Sequence, residues 1–175
     1  MKDILEKLTS YNLFNYLLPG VLFAVIAEKV TGFSFKQQDV IIGAFVYYFI
    51  GLVISRIGSL VIEPTLKWVR FLRFAEYKDF MAAARVDAKI EVLSEQNNSY
   101  RTLCSTFLLL LVLKLYDRVS TNFPTVRQHQ ITILLAVLSL MFLFAYRKQS
   151  TYITRRVAAG AQTSTADTKG KAATA

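Results

Sequence analysis

Two carboxylates lie four residues apart near the middle of the chain, at Glu91 and Glu95. On a helix this spacing places both on one face, where paired carboxylates can act as a general acid and base or help to hold a metal ion. One histidine and one cysteine are too few for a zinc site, and no third ligand is evident near the pair. A solvated acidic face is the simpler interpretation, so we expect no enzymatic activity, no metal and no cofactor.

A second set of polar residues flanks two apolar stretches. Arg56 and Glu63 are seven residues apart and share a helical face. Glu95, Asn98 and Arg101 recur every three residues, along one side of a continuous helix. We therefore predict a polar cluster at one end of the molecule, formed by Arg56, Glu63, Glu95, Asn98 and Arg101. The alternative is that Arg56 reaches the lipid headgroups without a protein partner.

Long apolar stretches must position these residues. The chain is 54% hydrophobic and 19% charged, against about 45–50% and 25% in soluble domains. A stretch of about twenty apolar residues is long enough to cross a hydrocarbon core of about 30 Å as a helix, and the predicted spans are 9–28, 39–61, 99–117 and 129–147. The sequence thus predicts an all-α integral membrane protein with four transmembrane helices in two hairpins. A soluble bundle of four very apolar helices is the alternative.

The spans divide the chain into four segments. We expect a first transmembrane hairpin at 1–62, a helical cytoplasmic connector at 63–99, a second transmembrane hairpin at 100–150 and a disordered cytoplasmic tail at 151–175. The third span is the weakest, because only Thr102–Leu113 is uncharged. The first span is expected to be an uncleaved anchor, since its N-terminal flank has as many acidic as basic residues.

The basic residues predict the orientation. Sixteen of the 21 Lys and Arg residues fall in the N-terminal flank, the middle segment and the tail, and five fall in the other two connections. By the positive-inside rule, both termini and the connector face the cytoplasm. The net charge of +9 is explained by this topology, and without a clustered basic stripe we expect no nucleic-acid partner.

The start of the connector combines basic and aromatic residues. Helical spacing places Lys67, Arg70 and Arg73 on one arc, and Trp68 and Phe71 on the other side. We predict an amphipathic helix on the anionic inner leaflet, in which all five residues contact the lipid surface. Ordinary basic flanking residues with aromatic anchors are an equally good interpretation.

Small residues form a stripe on the second span. Gly51, Ser55 and Ser59 recur every four residues, with Gly58 alongside. Such stripes allow helix backbones to approach closely, either within a chain or between chains. We expect these residues to pack helices together, and we expect a homo-oligomer.

Three segments carry a resemblance to known proteins: SYNLFNYLLPG at 10–20, SRIGSLVIEP at 55–64 and LSEQNNSYRT at 93–102. They resemble segments of small bacterial membrane proteins of unassigned function. The overall layout is also similar to membrane components of anti-phage defence operons, which permeabilise the inner membrane or anchor a cytosolic partner.

The resemblance implies a multi-pass protein of the bacterial inner membrane without enzymatic activity. Its expected partners are the lipid bilayer, further copies of itself and a cytosolic protein docked on the connector. A membrane-disrupting role in antiviral defence is a further expectation. A small channel or transporter subunit is the alternative function.

Overall fold

The computed structural model describes residues 13–172, and over this range it is helical, without β-strands. The helices are α1 (Leu13–Val30), α2 (Val40–Trp68), α3 (Tyr77–Val86), α4 (Lys89–Asn122), α5 (Pro124–Gln128) and α6 (Gln130–Ala172). Both α1 and α2 contain one wider, π-helical stretch, at Leu13–Leu17 and Gly58–Ile62. The predicted all-α class is confirmed.

Three helical segments within residues 13–172 are long and apolar enough to cross a membrane: Leu13–Val30, Val40–Trp68 and Gln130–Ala158. Residues 9–12 of the first predicted span lie outside the described residues. The third predicted span falls within α4, where the apolar run is the middle of a 34-residue helix with charged residues on both sides. A fourth crossing therefore stays a prediction.

Helices α1 and α2 form a hairpin in which the two backbones touch. A Cβ atom added at Gly20 would collide with the carbonyl oxygen of Tyr47, and one added at Gly51 would collide with the carbonyl oxygen of Tyr16. At both positions only a hydrogen atom fits between the helices. The small residue predicted at Gly51 therefore packs α2 against α1 of the same chain. Gly20 supplies the matching surface on α1.

Helix α4 packs on this hairpin through small polar residues. Thr102, Ser105 and Thr106 are fully buried, and each hydroxyl donates to a carbonyl four residues earlier on α4, at 2.7–2.9 Å. On α2, Ser55 is 3.4 Å from the Thr102 hydroxyl, and Gly58 lies directly against Ser105. Hydroxyls satisfied by their own helix leave a small surface for close helix packing.

The loop between α1 and α2 meets the C-terminal part of α4. The Gly32 N–H donates to Asp117 Oδ2 at 3.2 Å, and the rings of Phe33 and Tyr116 stack with centroids 6.1 Å apart. At the start of α2, the Asp39 carboxylate accepts hydrogen bonds from two backbone N–H groups of the first turn, as a helix N-cap does. These contacts hold the loop between α1 and α2 against α4 at this end of the molecule.

Helix α6 packs mainly on α2. Met141 is buried, and the rings of Phe142 and Phe49 stack with centroids 6.2 Å apart. The predicted second hairpin placed this helix beside the third span, whereas its main contacts are with the first hairpin. Of the large apolar side chains of α6, Met141 is buried and Phe142 stacks on Phe49 of α2, whereas α4 packs on the same hairpin through its small residues.

The structure differs from the predicted segments at two further points. The connector and the third span form one continuous helix, α4, with no break near residue 99. Residues 151–172 continue α6, where a disordered tail was predicted. Alanine has the highest helix propensity, and extending an existing helix requires no new nucleus. Residues 173–175 lie outside the described residues.

The glycine contact predicts the effect of a single methyl group. Replacing Gly51→Ala should lower the free energy of unfolding by about 1–3 kcal/mol, because the added carbon forces the two backbones apart. The change would be measured as a lower thermal midpoint of far-UV ellipticity in detergent.

Gly43→Ala is the matched control on the same helix, because its added carbon would lie 3.5 Å from its nearest neighbours, in ordinary contact. Equal stability losses in the two variants would show that the backbone contact does not hold the hairpin.

Candidate functional site

Charged side chains from three helices meet at the end of the molecule away from Asp117. Glu63 lies on α2 directly after the π-helical stretch, and one of its oxygens accepts a hydrogen bond from Lys67 Nζ at 2.9 Å. Its other oxygen accepts from an Arg101 guanidinium nitrogen of α4, also at 2.9 Å. The Glu63 and Arg101 side chains are 15% and 20% exposed. This pair joins α2 to α4 in a partly desolvated setting.

Lys148 brings α6 to the same place. Its Nζ donates to the carbonyl oxygen of Ser59 at 2.6 Å and to the Ser59 hydroxyl at 2.7 Å. Arg56 and Asn98 line a cavity of about 280 Å³ together with Ser59 and Lys148. We call Arg56, Glu63, Lys67, Arg101 and Lys148 the charge cluster. It contains four cations and one carboxylate, so the cluster favours anions.

The structure brings together part of the predicted polar cluster. Glu63 and Arg101 form an ion pair, and Arg56 and Asn98 line the adjoining cavity. Glu95 is exposed on α4, and the predicted contact between Arg56 and Glu95 stays a prediction.

Sequence reasoning missed Lys148 as a member of this site. Lys148 follows the last apolar stretch by two residues, and in that position a lysine is also expected from orientation alone. Lys148 lies seven residues after Met141, and this spacing places both side chains on the same face of α6. Since Met141 is buried, that spacing is the signal that Lys148 faces the other helices.

The small residues predicted on α2 divide between two partners. Gly51 lies against α1, whereas Ser55 and Gly58 lie against α4. Ser59 accepts the hydrogen bond from Lys148 and so belongs to the charge cluster region. All four residues pack helices of one chain.

The predicted amphipathic helix stops at Trp68. Arg70 has a φ of 60°, its N–H donates to the Lys67 carbonyl at 3.0 Å, and the Phe71 N–H donates to the Leu66 carbonyl at 2.9 Å. This is a Schellman motif, in which a left-handed residue ends the helix. The prediction was wrong beyond Trp68 because an arginine occupies a position that usually holds glycine.

The side chains predicted to contact lipid are nevertheless on the surface. Trp68, Arg70, Phe71 and Arg73 are exposed. Lys67 is engaged twice, by Glu63 and by the ring of Phe74, whose centroid lies 4.1 Å from Nζ. Lipid contact by the five predicted residues stays a prediction.

The acidic pair on α4 does not form a buried site. Glu91 and Glu95 are both exposed. Comparison with models of protein families, with curated proteins and with solved structures found no match. The geometry therefore defines the class: a helical protein with membrane-length apolar helices and a cationic cluster at one end.

The ion pair between α2 and α4 predicts a loss of stability on neutralisation. Glu63→Gln leaves the partly buried Arg101 beside Lys67 without a carboxylate, which should cost about 1–3 kcal/mol of unfolding free energy. Thermal unfolding in detergent measures the change.

Glu91→Gln removes the same charge from an exposed position of α4 and should leave the midpoint unchanged. The double variant Glu63→Arg/Arg101→Glu should recover part of the loss by restoring an ion pair. A Glu63→Gln protein as stable as the unmodified chain would refute the structural role of the pair.

Proposed function

We propose that this chain is a non-enzymatic protein of a bacterial inner membrane that holds a cytosolic protein partner through its connector. The exposed apolar side chains of the connector carry the proposal. Val86 is 90% exposed, Trp68 84% and Phe71 76%. Exposed apolar groups of this size commonly mark interaction surfaces. The connector thus offers contacts that the chain itself does not use.

Membrane insertion through four helices is part of the proposal. The apolar run of α4 presents several exposed side chains outward: Phe107, Leu108, Leu111, Val112 and Leu115. Its polar face is turned inward, where the hydroxyls of Thr102 and Thr106 are buried. An apolar exterior around a small polar interior suits a helix in lipid. This arrangement supports a fourth crossing by α4.

The four crossings predict a pattern of reporter activities. Alkaline phosphatase, which is active only outside the cytoplasm, is fused after residues 35, 85, 122 and 175. We expect activity at 35 and 122 and none at 85 and 175, because the basic segments remain inside.

The fusion after residue 122 decides the role of α4. If α4 does not cross, the fusion at 122 becomes inactive and the one at 175 becomes active. Activity at 85 would overturn the cytoplasmic placement of the connector.

The connector contains two parts with different surroundings. Trp68 is the last residue of α2 and Phe71 follows three residues later, so both can rest on the lipid surface. The first residue of α3 contacts α6, since the rings of Tyr77 and Tyr152 meet edge to face with centroids 5.5 Å apart. Val86 is the last residue of α3 and lies at the opposite end of this helix from Tyr77. We therefore place the protein-binding surface at the Val86 end of α3.

A photoreactive residue at position 86 tests this surface. With benzoylphenylalanine in place of Val86, irradiation of membranes mixed with the soluble fraction of the source cell should give one discrete protein adduct. The adduct should disappear when the soluble fraction is omitted and return when it is added back.

Benzoylphenylalanine in place of Val112, on the apolar face of α4, is the control and should give lipid adducts. Only lipid adducts or only adducts between two copies at position 86 would contradict a cytosolic partner.

The expected homo-oligomer and the membrane-disrupting role in antiviral defence are proposed together. Only 6% of the apolar window in α6 is buried within the chain, so a second copy has a large surface to contact. Disruption would require several copies, because the polar interior of one chain is filled by its own hydroxyls. A channel or transporter subunit is less favoured, since those hydroxyls bond to carbonyls of α4.

A further inference from the structure

A groove runs between the end of α2 and the neighbouring face of α6. It encloses about 840 Å³. One part of the groove is apolar and is lined by Leu60 of α2 together with Val137, Met141 and Phe144 of α6. The other part of the groove is cationic, and its basic lining residues are Arg147, Lys148 and Arg155. The groove therefore changes from apolar to positively charged along its length.

The change follows one face of α6. Val137, Met141, Phe144, Lys148 and Arg155 are separated by three, four or seven residues, which aligns them along a single helical stripe. Lys148 is already fixed by its two hydrogen bonds to Ser59, so at least one cation of the stripe is preorganised.

The apolar part of the stripe has the length of one membrane leaflet. Val137 and Lys148 are eleven residues apart, which corresponds to about 16 Å along a helix. Half of a hydrocarbon core is about 15 Å. A lipid chain lying against Val137 and Phe144 would thus place its headgroup at the level of Lys148.

We propose that the groove binds one anionic phospholipid of the cytoplasmic leaflet. Its acyl chain lies along Val137, Met141 and Phe144, and its phosphate lies between Arg147 and Arg155. The cations favour an anionic headgroup over a zwitterionic one. This inference rests on the orientation proposed above, in which Lys148 is at the cytoplasmic side, and it does not depend on the identity of a protein partner.

The unmodified full-length protein provides the first test. It is reconstituted in nanodiscs with equal amounts of phosphatidylglycerol and phosphatidylethanolamine, released in the gas phase and examined by native mass spectrometry. We expect one retained phosphatidylglycerol per chain. Equal retention of the two lipids would overturn the proposal without any substitution.

Charge removal tests the headgroup end. In Arg147→Gln/Arg155→Gln, the preference for phosphatidylglycerol should fall about fivefold for each arginine, or roughly 25-fold. Arg118→Gln/Arg127→Gln removes the same charge from the opposite end of the molecule and should leave the preference unchanged. An equal fall in both double variants would show a general charge effect and contradict a specific site.

Filling the groove tests the acyl end. Val137→Trp should reduce the retained phosphatidylglycerol several-fold, whereas Leu140→Trp, on an exposed position of α6 outside the groove, should not. Unchanged retention in Val137→Trp, or displacement of the lipid by millimolar inorganic phosphate, would show a free anion site. A mass spectrum with two chains and no lipid would assign the groove to a second copy. Each of these results overturns the proposal, whereas a failure of the reporter fusions would move the bound lipid to the other leaflet without removing its site.

Discussion

The contact between the backbones of α1 and α2 determines where the other helices can lie. In lipid, apolar side chains gain little by leaving one apolar surrounding for another, so helices associate through close packing and hydrogen bonds. Gly20 and Gly51 remove the side chains that would otherwise separate the two backbones. With α2 held in this register, its Ser55 and Gly58 face α4. A single pair of glycines thus sets the layout.

The charge cluster follows from the same register. Ser59 and Glu63 continue along α2 beyond the close contact, which brings a carbonyl and a carboxylate to the edge of the apolar region. Each binds a cation from a different helix, Lys148 of α6 and Arg101 of α4. Lys148 thus joins α6 to α2 at this end, in addition to the stacking of Phe142 on Phe49. The groove between them is the space that this arrangement leaves.

The sequence predicts the helical class, the small-residue packing of Gly51 and a polar cluster that includes Glu63 and Arg101. These follow from local periodicity, which one chain displays directly. It does not predict which helix each small residue meets, because a stripe identifies a surface without its partner. From the sequence alone, Lys148 is explained equally well as a member of the charge cluster and as a basic residue that flanks an apolar stretch. The sequence also does not predict the end of α2 at Trp68, because only the structure shows that the backbone of Arg70 is in the left-handed region.

Glu63, Arg101 and Lys148 lie at one level on three helices, with apolar side chains on one side of that level. Such a belt favours the membrane–water interface, because moving it into hydrocarbon would desolvate several charges. In a membrane, this belt would fix the depth at which that end of the bundle lies. In a thicker or thinner bilayer the whole bundle must tilt, or the lipid around it must stretch or compress. Membrane thickness would thus alter the angle between the connector and the membrane surface.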